Sequence, residues 1–580
     1  MLAFVLNLGA ASSFAQAIPS PVLPGRIENQ LVPPPAALAP ALPPAPVPQQ
    51  QPVPSEQPAG GINFVLRDVE VDGSTIYTPA QLKATYAQYL DKPISIEVLP
   101  QIEEAITVLY RRDGYILSRA LIDAQTIDPQ KGIVHVKVLE GYIDKVRLDP
   151  LEYEIGDKGK LVRSILKHIE HACRPGEVQK GDKPCPLHRE VLERYLLLAN
   201  DLPGIKASAV IEPSLNNEGA ADLFVTIDET PTVYTASLDN RGSGYVGPLT
   251  AHQSATFNNL LGLQERSEIH TAQSIPFNEL ELVNGVEEIP LTSDGLRIAI
   301  DFTHTRSRPG GLLRPINLET IGDAGDITLA YPYIRSRSEN LQFRASVEIA
   351  NSVTTHGPPD ETAFFDQSRA ITLGASYDLA DRYLGVNLAD LSLVQGIPVL
   401  GATQENSQVA SHVGASPTFT KFDGEVSRVQ QIVPQWNVLI GTTGQYSFSK
   451  LLSSQQFGYG GEQYGRGYDP SEILGDRGVD AKTELQYTPD WAPGLFGWAE
   501  GVQSLQFYDF FDIGRVWVDP GPSTHMSGAS AGVGVRFTIT DHFAGYLEMA
   551  KPLTRAVQAV QAAGAGGKEP RFFFSVAGKF

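Results

Sequence analysis

From Pro231 to the C-terminus the chain alternates apolar and polar residues with period two, in runs of roughly eight to twelve residues separated by polar or Gly-rich breaks. Tyr234, Ala236 and Leu238 alternate with Thr235, Ser237 and Asp239; Leu296, Ile298, Ile300 and Phe302 alternate with Arg297, Asp301 and Thr303. The same holds for Leu341, Phe343, Ala345, Val347 and Ile349 against Gln342, Arg344, Ser346 and Glu348, and for Ile371, Leu373, Ala375 and Tyr377 against Thr372, Gly374 and Ser376. Side chains of a strand point to opposite faces in turn, so each run has one apolar and one polar face. A lipid-embedded barrel with a wet lumen fits this pattern. A soluble barrel or sandwich also alternates, with the apolar face turned inward, so alternation alone leaves both open.

The last run, Arg571–Phe580, puts Phe572, Phe574, Val576 and Phe580 on one face and ends on an aromatic residue. A terminal strand ending in Phe, here Phe580, is what outer-membrane barrels present to their assembly machinery. It must also close the sheet, because an open edge in lipid leaves backbone groups unpaired.

Ahead of residue 231 the period changes to that of mixed helix and strand. In residues 61–141, Val65, Val69 and Val71 read as alternate sites of one strand. Leu82, Tyr86, Tyr89 and Leu90 mark a helix stripe. Val98, Ile102, Ile106 and Leu109 mark a second helix stopped by Asp113-Gly114, and strands follow at Tyr115–Ile122 and Ile133–Leu139. The order β-α-α-β-β recurs in residues 142–230. A strand at Ile143–Leu148 precedes a helix carrying Leu161, Ile165 and Ile169. A second helix carries Leu187, Val191, Tyr195 and Leu198, and strands at Ala207–Glu212 and Leu223–Ile227 end the module.

The remaining N-terminal residues fit neither pattern. Residues 1–17 have a short apolar core and end Ala15-Gln16-Ala17, an A-x-A cleavage pattern, and are read as a signal peptide although no Lys or Arg precedes the core. Residues 18–60 are Pro-rich and are read as a flexible, extended linker. Export favours pairing of the two cysteines, Cys173 and Cys185, as a disulfide. Two Cys with one nearby His (His188) fall short of a metal site. A formal net charge of −21 argues against nucleic acid as the main partner.

The stretch with the most chemistry is Phe457–Gly478, FGYGGEQYGRGYDPSEILGDRG, read as one long loop and too rich in Gly, Pro and charge to be a strand. Tyr508–Trp517 is a strand on which Phe510, Asp512 and Gly514 share a face. Arg466 in the loop and Asp512 on the strand invite an ion pair that pins the loop inside a barrel lumen.

Taken together these motifs resemble the outer-membrane transporters of two-partner secretion, the haemolysin and filamentous-haemagglutinin transporter group, over about residues 63–580. The two β-α-α-β-β units resemble that family's periplasmic POTRA modules. VLEGYI (Val138–Ile143) resembles the junction between them, and LLLANDLPGI (Leu196–Ile205) the helix end of the second. LDNRGSGYVGP (Leu238–Pro248) resembles the first barrel hairpin, and YPYIRSRSENL (Tyr331–Leu341) an inner strand and turn. Arg466-Gly467-Tyr468 resembles the Val-Arg-Gly-Tyr loop signature, with Gly465 in place of Val. Phe510-Phe511-Asp512-Ile513-Gly514 matches the F-x-D-x-G strand signature.

The resemblance implies a transmembrane β-barrel of about 16 antiparallel strands over residues 231–580, preceded by two POTRA domains, with loop 448–478 folded inward and locked by Arg466, Gly467, Tyr468, Phe510, Asp512 and Gly514. It implies export of one exoprotein, unfolded in the periplasm, across the outer membrane of a Gram-negative cell. The other partners are outer-membrane lipid and, during biogenesis, the barrel-assembly machinery. No enzyme activity, cofactor or metal is expected. An assembly or insertion factor of the same superfamily is the alternative. Some relatives carry an N-terminal plug helix, but residues 18–30 contain prolines and no apolar stripe, so none is expected here. Gly528-Ala529-Ser530-Ala531-Gly532, with His525 nearby, fits the nucleophile-elbow pattern, yet it falls among strand runs rather than at a strand-to-helix turn.

Overall fold

The computed structural model describes residues 18–26, 31 and 63–580, apart from 129, 175, 180–182, 215–216, 492–501, 519–523 and 541. The expected signal peptide and most of the Pro-rich segment lie outside the described residues.

The first module comprises β1 (Asn63–Leu66), β2 (Asp68–Asp72), α1 (Pro79–Tyr86), β3 (Lys92–Ser95), α2 (Leu99–Arg112), β4 (Arg119–Leu121) and β5 (Ile133–Leu139). β5 is central, parallel to β2 and antiparallel to β4, and the helices bury Leu82, Ile102, Ile106 and Tyr110 against Val134, Val136 and Val138. One expectation fails at the start. The single strand through Val65, Val69 and Val71 breaks at Arg67, whose N–H is drawn off to the Gly132 carbonyl at 2.8 Å. β1 therefore pairs with β3 instead of extending β2. The break reverses the facing, so Phe64 and Leu66 enter the core while Val65 is 37% exposed. The strand expected at Tyr115–Ile122 shrinks to β4, because Tyr115 is drawn into the core edge-on to Tyr110 and His188. α2 stops at Gly114, whose φ of +97° suits glycine. A Cβ there would stand 2.4 Å from His188 Nε2 of the next module.

The second module comprises β6 (Tyr142–Asp149), α3 (Leu151–Ile155), α4 (Lys160–Leu166), α5 (Arg189–Asn200), β7 (Ile205–Pro213) and β8 (Ala220–Glu229). Its sheet order is β6-β8-β7, and its core joins Ile143, Ile165, Ile169, Leu198, Leu223 and Val225. α3, which buries Tyr153, is an addition to the expected order. Cys173 and Cys185 are joined as a disulfide.

Sixteen antiparallel strands then close into a barrel. They begin with β9 (Thr232–Asp239), β10 (Thr250–Asn258), β11 (Arg266–Ser274), β12 (Leu280–Pro290) and β13 (Arg297–Ser307). β14 (Glu319–Arg335), β15 (Glu339–His356), β16 (Glu361–Ala380), β17 (Gly385–Gly396), β18 (Thr420–Val433) and β19 (Trp436–Ser447) follow. β20 (Phe457–Tyr459) and β21 (Ile473–Gly475) lie in the long loop. β22 (Arg477–Tyr487), β23 (Ser504–Trp517), β24 (His525–Thr540), β25 (Phe543–Pro552) and β26 (Arg571–Lys579) complete the wall. β26 pairs with β9 at the seam, and Phe580 extends the pairing by exchanging two backbone hydrogen bonds with Tyr234. No backbone edge is left to lipid there, as closure requires.

The apolar face of the wall is the outer one. Phe302 is 56% and Val347 47% exposed, with Leu373 and Ile440 similarly open. The polar face lines the lumen, where Arg344 meets Asp390 through two hydrogen bonds of 2.6 and 2.5 Å. This decides between the two readings left open by alternation, because a water-soluble barrel would turn its apolar face inward.

The second module docks on the turn between β14 and β15. Arg335 makes a bidentate pair with Asp201 at 2.8 and 2.6 Å, and Arg194 donates to the carbonyls of Pro332 and Tyr333. That end of the barrel is therefore the one that carries the modules. A charge on the outer face should destabilise by ~2–4 kcal/mol near the bilayer midplane. Val347→Arg is expected to lower stability by that amount, and Ser346→Arg, facing the lumen, by clearly less. Urea unfolding in lipid vesicles checks both.

Candidate functional site

Between β19 and β22 the chain folds into the lumen. Within this stretch β20 and β21 pair as a short hairpin, Phe457 opposite Gly475, where the sequence suggested loop throughout. Three-residue strands are too short to show a period, and glycines at both ends mask them. β22 begins at Arg477, so the last two residues of the expected loop belong to the wall.

The hairpin presents Arg466 to the wall. Its backbone N–H donates to Asp512 Oδ2 at 2.9 Å, Nε to the same oxygen at 3.0 Å, and Nη2 to Asp512 Oδ1 at 2.9 Å. Nη1 donates to Glu484 Oε2 at 2.7 Å and lies 3.9 Å from Glu548 Oε2. The guanidinium lies 3.6 Å above the centroid of the Phe510 ring, a cation–π arrangement. Arg466 is 4% exposed and Asp512 0%. Lys has neither the fork nor the planar face to reproduce these contacts.

Two further guanidiniums share the carboxylates. Arg536 binds both oxygens of Glu484 at 2.6 and 3.1 Å and lies over the Tyr508 ring. Arg241 donates to Glu548 Oε1 at 2.7 Å and to the Arg466 carbonyl at 3.3 Å. Three Arg and three carboxylates thus form one network, and a buried charge with so many partners escapes the cost of an isolated one.

Small residues let the loop reach the wall. A Cβ on Gly467 would come within 3.0 Å of the backbone of Lys551 and Pro552. Tyr459 lies flat over β23 and β24, where a Cβ on Gly514 or Gly528 would come within 2.2–2.4 Å of its ring. Tyr468 is buried and donates its hydroxyl to the Ala529 carbonyl at 2.9 Å. Gly465 has φ +76°, and its Cβ would sit 2.7 Å from the Tyr459 ring. This conformation explains why glycine stands where the loop signature has Val.

The structure therefore gathers Arg466, Gly467, Tyr468, Phe510, Asp512 and Gly514 at one place. The disulfide lies apart, in the second module, and Phe580 lies at the seam. Ser530, centre of the elbow-like pentapeptide, sits mid-strand in β24 opposite Asp512, with no turn into a helix. Glu484, Glu548, Arg241, Arg536 and Tyr459 were not singled out from sequence. For Glu484, Arg536 and Glu548 the available signal was a charged residue at a lumen-facing position of an alternating strand, whereas Arg241 lies past the end of β9 and Tyr459 in the long loop, where no period marks them.

Residues 18–26 also occupy the lumen, which corrects the start of the flexible linker expected over 18–60. Ile18 and Val22 pack with Tyr245, Leu280 and Phe364. Arg26 donates to the carbonyls of Ser453 and Gln456 at 3.3 and 2.8 Å and to Ser471 Oγ at 2.7 Å, all on the inward loop. Proline content suggested an extended chain; here the segment makes two successive tight turns, Ser20–Val22 and Leu23–Arg26, that fit between loop and wall.

A left-handed conformation costs a non-glycine residue about 1–2 kcal/mol. Gly465→Val adds a clash with Tyr459 and is expected to loosen residues 448–476 without unfolding the barrel. Limited proteolysis of the folded protein in detergent should show faster cleavage in this loop only.

Residues 223–537 match the family of the haemolysin secretion/activation protein ShlB/FhaC/HecB, and residues 64–141 match the POTRA domain of ShlB type. The chain is 22% identical over 508 residues to the heme/hemopexin transporter protein HuxB of Haemophilus influenzae, covering 85% of this chain and 84% of that one. It is 22% identical over 501 residues to the outer membrane transporter CdiB of Escherichia coli, covering 84% and 79%. The solved structure of CdiB from Escherichia coli superposes with a TM-score of 0.69 at 19% identity, covering 100% of both chains. The barrel lies in the outer membrane with its modules in the periplasm, and the chain belongs to the ShlB/FhaC/HecB family of two-partner secretion transporters.

Proposed function

We propose that this protein captures an unfolded exoprotein through its periplasmic modules and exports it through the barrel lumen, the inward loop acting as a lock released during transport. The observation that carries this reading is the loop itself. It enters the lumen of a closed barrel yet joins no wall strand, and the hydrogen bonds that tie it there each use a side chain, those of Arg466 to Asp512 and Glu484 among them. A connection of that kind can be broken and remade without unpairing the sheet.

Capture by strand addition is supported by the second module. β7 is an edge strand of its sheet, with β8 on one side only. The Asn200 side chain covers part of the other side, accepting from the Ala207 N–H and donating to its carbonyl at 2.9 and 3.0 Å. Beyond it the edge can take an extended segment of an unfolded chain. Residues 18–26 and the loop share the lumen, so passage requires both to move. Folding of the exported chain outside the cell supplies the direction in this scheme, as the outer membrane offers no nucleotide.

Removing one partner of a buried pair costs about 3–5 kcal/mol, because the other charge is left alone. Arg466→Ala and Asp512→Ala are each expected to leave the barrel inserted and heat-modifiable while lowering secretion about tenfold or more. The assay is co-expression with a candidate exoprotein and quantitation of the culture medium. Normal secretion by both variants contradicts the role given to the loop.

A further inference from the structure

The outer wall carries a concavity on a set of strands that includes β22 and β23, two of those that bear the network just described. It is a groove of about 1040 Å³, almost wholly apolar, running across β16 to β23 on the lipid-facing side. Its cause is legible in the register. Ala375 opposes Leu391, Leu391 opposes Gly424, Gly424 opposes Gly444, and Gly444 opposes Val479. Three small residues thus occupy outward positions in one row of a wall that otherwise carries large ones. Two residues away on each strand the row is Leu373, Leu393, Phe422 and Tyr446, which makes a tall bank beside a low floor.

The groove ends where charge appears. Arg477 opposes Trp517 across β22 and β23, and its guanidinium lies 4.6 Å over the Tyr446 ring. Arg515, two residues from Trp517 on the same outer face, lies 5.3 Å over that ring. These residues stand at the ends of β19, β22 and β23 away from the turn on which the second module docks, and so at the outer leaflet. Aromatic rings at a membrane interface flanked by guanidiniums favour an anionic headgroup.

We propose that this groove is a binding site for a phosphorylated glycolipid of the outer leaflet. One acyl chain would lie along the Gly424–Gly444 floor, between Leu391 and the Phe422–Tyr446 bank, with a phosphate reaching Arg477 and Arg515. The volume is of the size that specific small-molecule sites have. A gap on a lipid-facing wall forfeits contacts unless a chain fills it, and an acyl chain of the surrounding leaflet is the occupant of matching shape. The two cations at one end supply the charge complementarity that selects a phosphate-bearing lipid over a zwitterionic one. Such a lipid would brace the wall strands β19, β22 and β23, two of which hold the carboxylates that bind Arg466.

The test uses the full chain purified from outer membranes in mild detergent. Bound lipid is quantified by native mass spectrometry, then rebound after delipidation from micelles of a bisphosphorylated acylated glucosamine disaccharide or of its dephosphorylated form. The expected result is about one phosphorylated glycolipid retained per barrel, rebinding about tenfold more weakly without phosphate. Gly424→Leu fills the floor and is expected to abolish retention. Arg477→Ala with Arg515→Ala should weaken the phosphorylated form about tenfold and leave the dephosphorylated form unchanged. Gly285→Leu, at an outward glycine with open space around it, serves as the control and should bind as the unaltered protein does. Should Gly424→Leu fail to insert, the double Arg variant decides. No retained glycolipid, equal retention by the variants and the control, retention of zwitterionic phospholipid alone, or a protein seated on this face would each overturn the proposal.

Discussion

A guanidinium taken out of water must be matched by negative charge and by acceptors for its N–H groups, or the fold around it does not persist. Arg466 meets both needs on the lumen wall. Asp512 on β23 takes two of its side-chain donors and its backbone N–H, and Glu484 on β22 takes a third. Glu548 on β25 stands close and is matched in turn by Arg241. One side chain therefore joins the inward loop to neighbouring wall strands, and the network neutralises itself. The glycines at 467, 514 and 528 follow from this, since each removes a Cβ that would hold loop and wall apart, while Gly465 clears the Tyr459 ring within the loop itself.

The barrel makes such a network tolerable. Lipid demands that the outer face be apolar and that every backbone group be paired within the sheet. The inner face is released from that demand and can carry charge, water and a folded loop. Period-two alternation is the single sequence feature behind both faces. The same lumen accepts residues 18–26, whose Arg26 rests on carbonyls of the inward loop. Loop, N-terminal segment and wall are therefore packed as one body, and the modules join it through Arg335 and Asp201 at one end.

What could be read from sequence divides along the range of the interactions. Alternation is local, so the wall strands and their register of faces were legible, as were the helix stripes of both modules in part: Tyr89, Leu90, Ile169 and Leu187 fall outside the α-helices. Arg466 and Asp512 were legible because each stands in a short motif of unusual composition. Glu484 and Glu548 stand in ordinary strand sequence, and only the closed barrel brings them under the same guanidinium. The break at Arg67 was hidden because it depends on a hydrogen bond to Gly132, far along the chain. Residues 18–26 were read as linker because composition reports what a segment does alone. Their burial depends on a cavity built by residues hundreds of positions later. Gly465, a departure from the loop signature, became intelligible only with its φ and the ring of Tyr459 in view.

Loop and wall are coupled most strongly through the Arg466 network, which acts as a unit beside separate contacts such as Arg571 to Asp469 and Tyr468 to the Ala529 carbonyl. Hydrogen exchange at the amides of residues 465–468 in the folded barrel reports the free energy of loop opening. A double-mutant cycle with Arg466→Ala and Asp512→Ala measures the coupling directly. If the network is the connection, the double variant opens about as readily as either single one, giving a coupling of about 2 kcal/mol or more. Additive effects, with the double variant losing the sum of the two single losses, would contradict it.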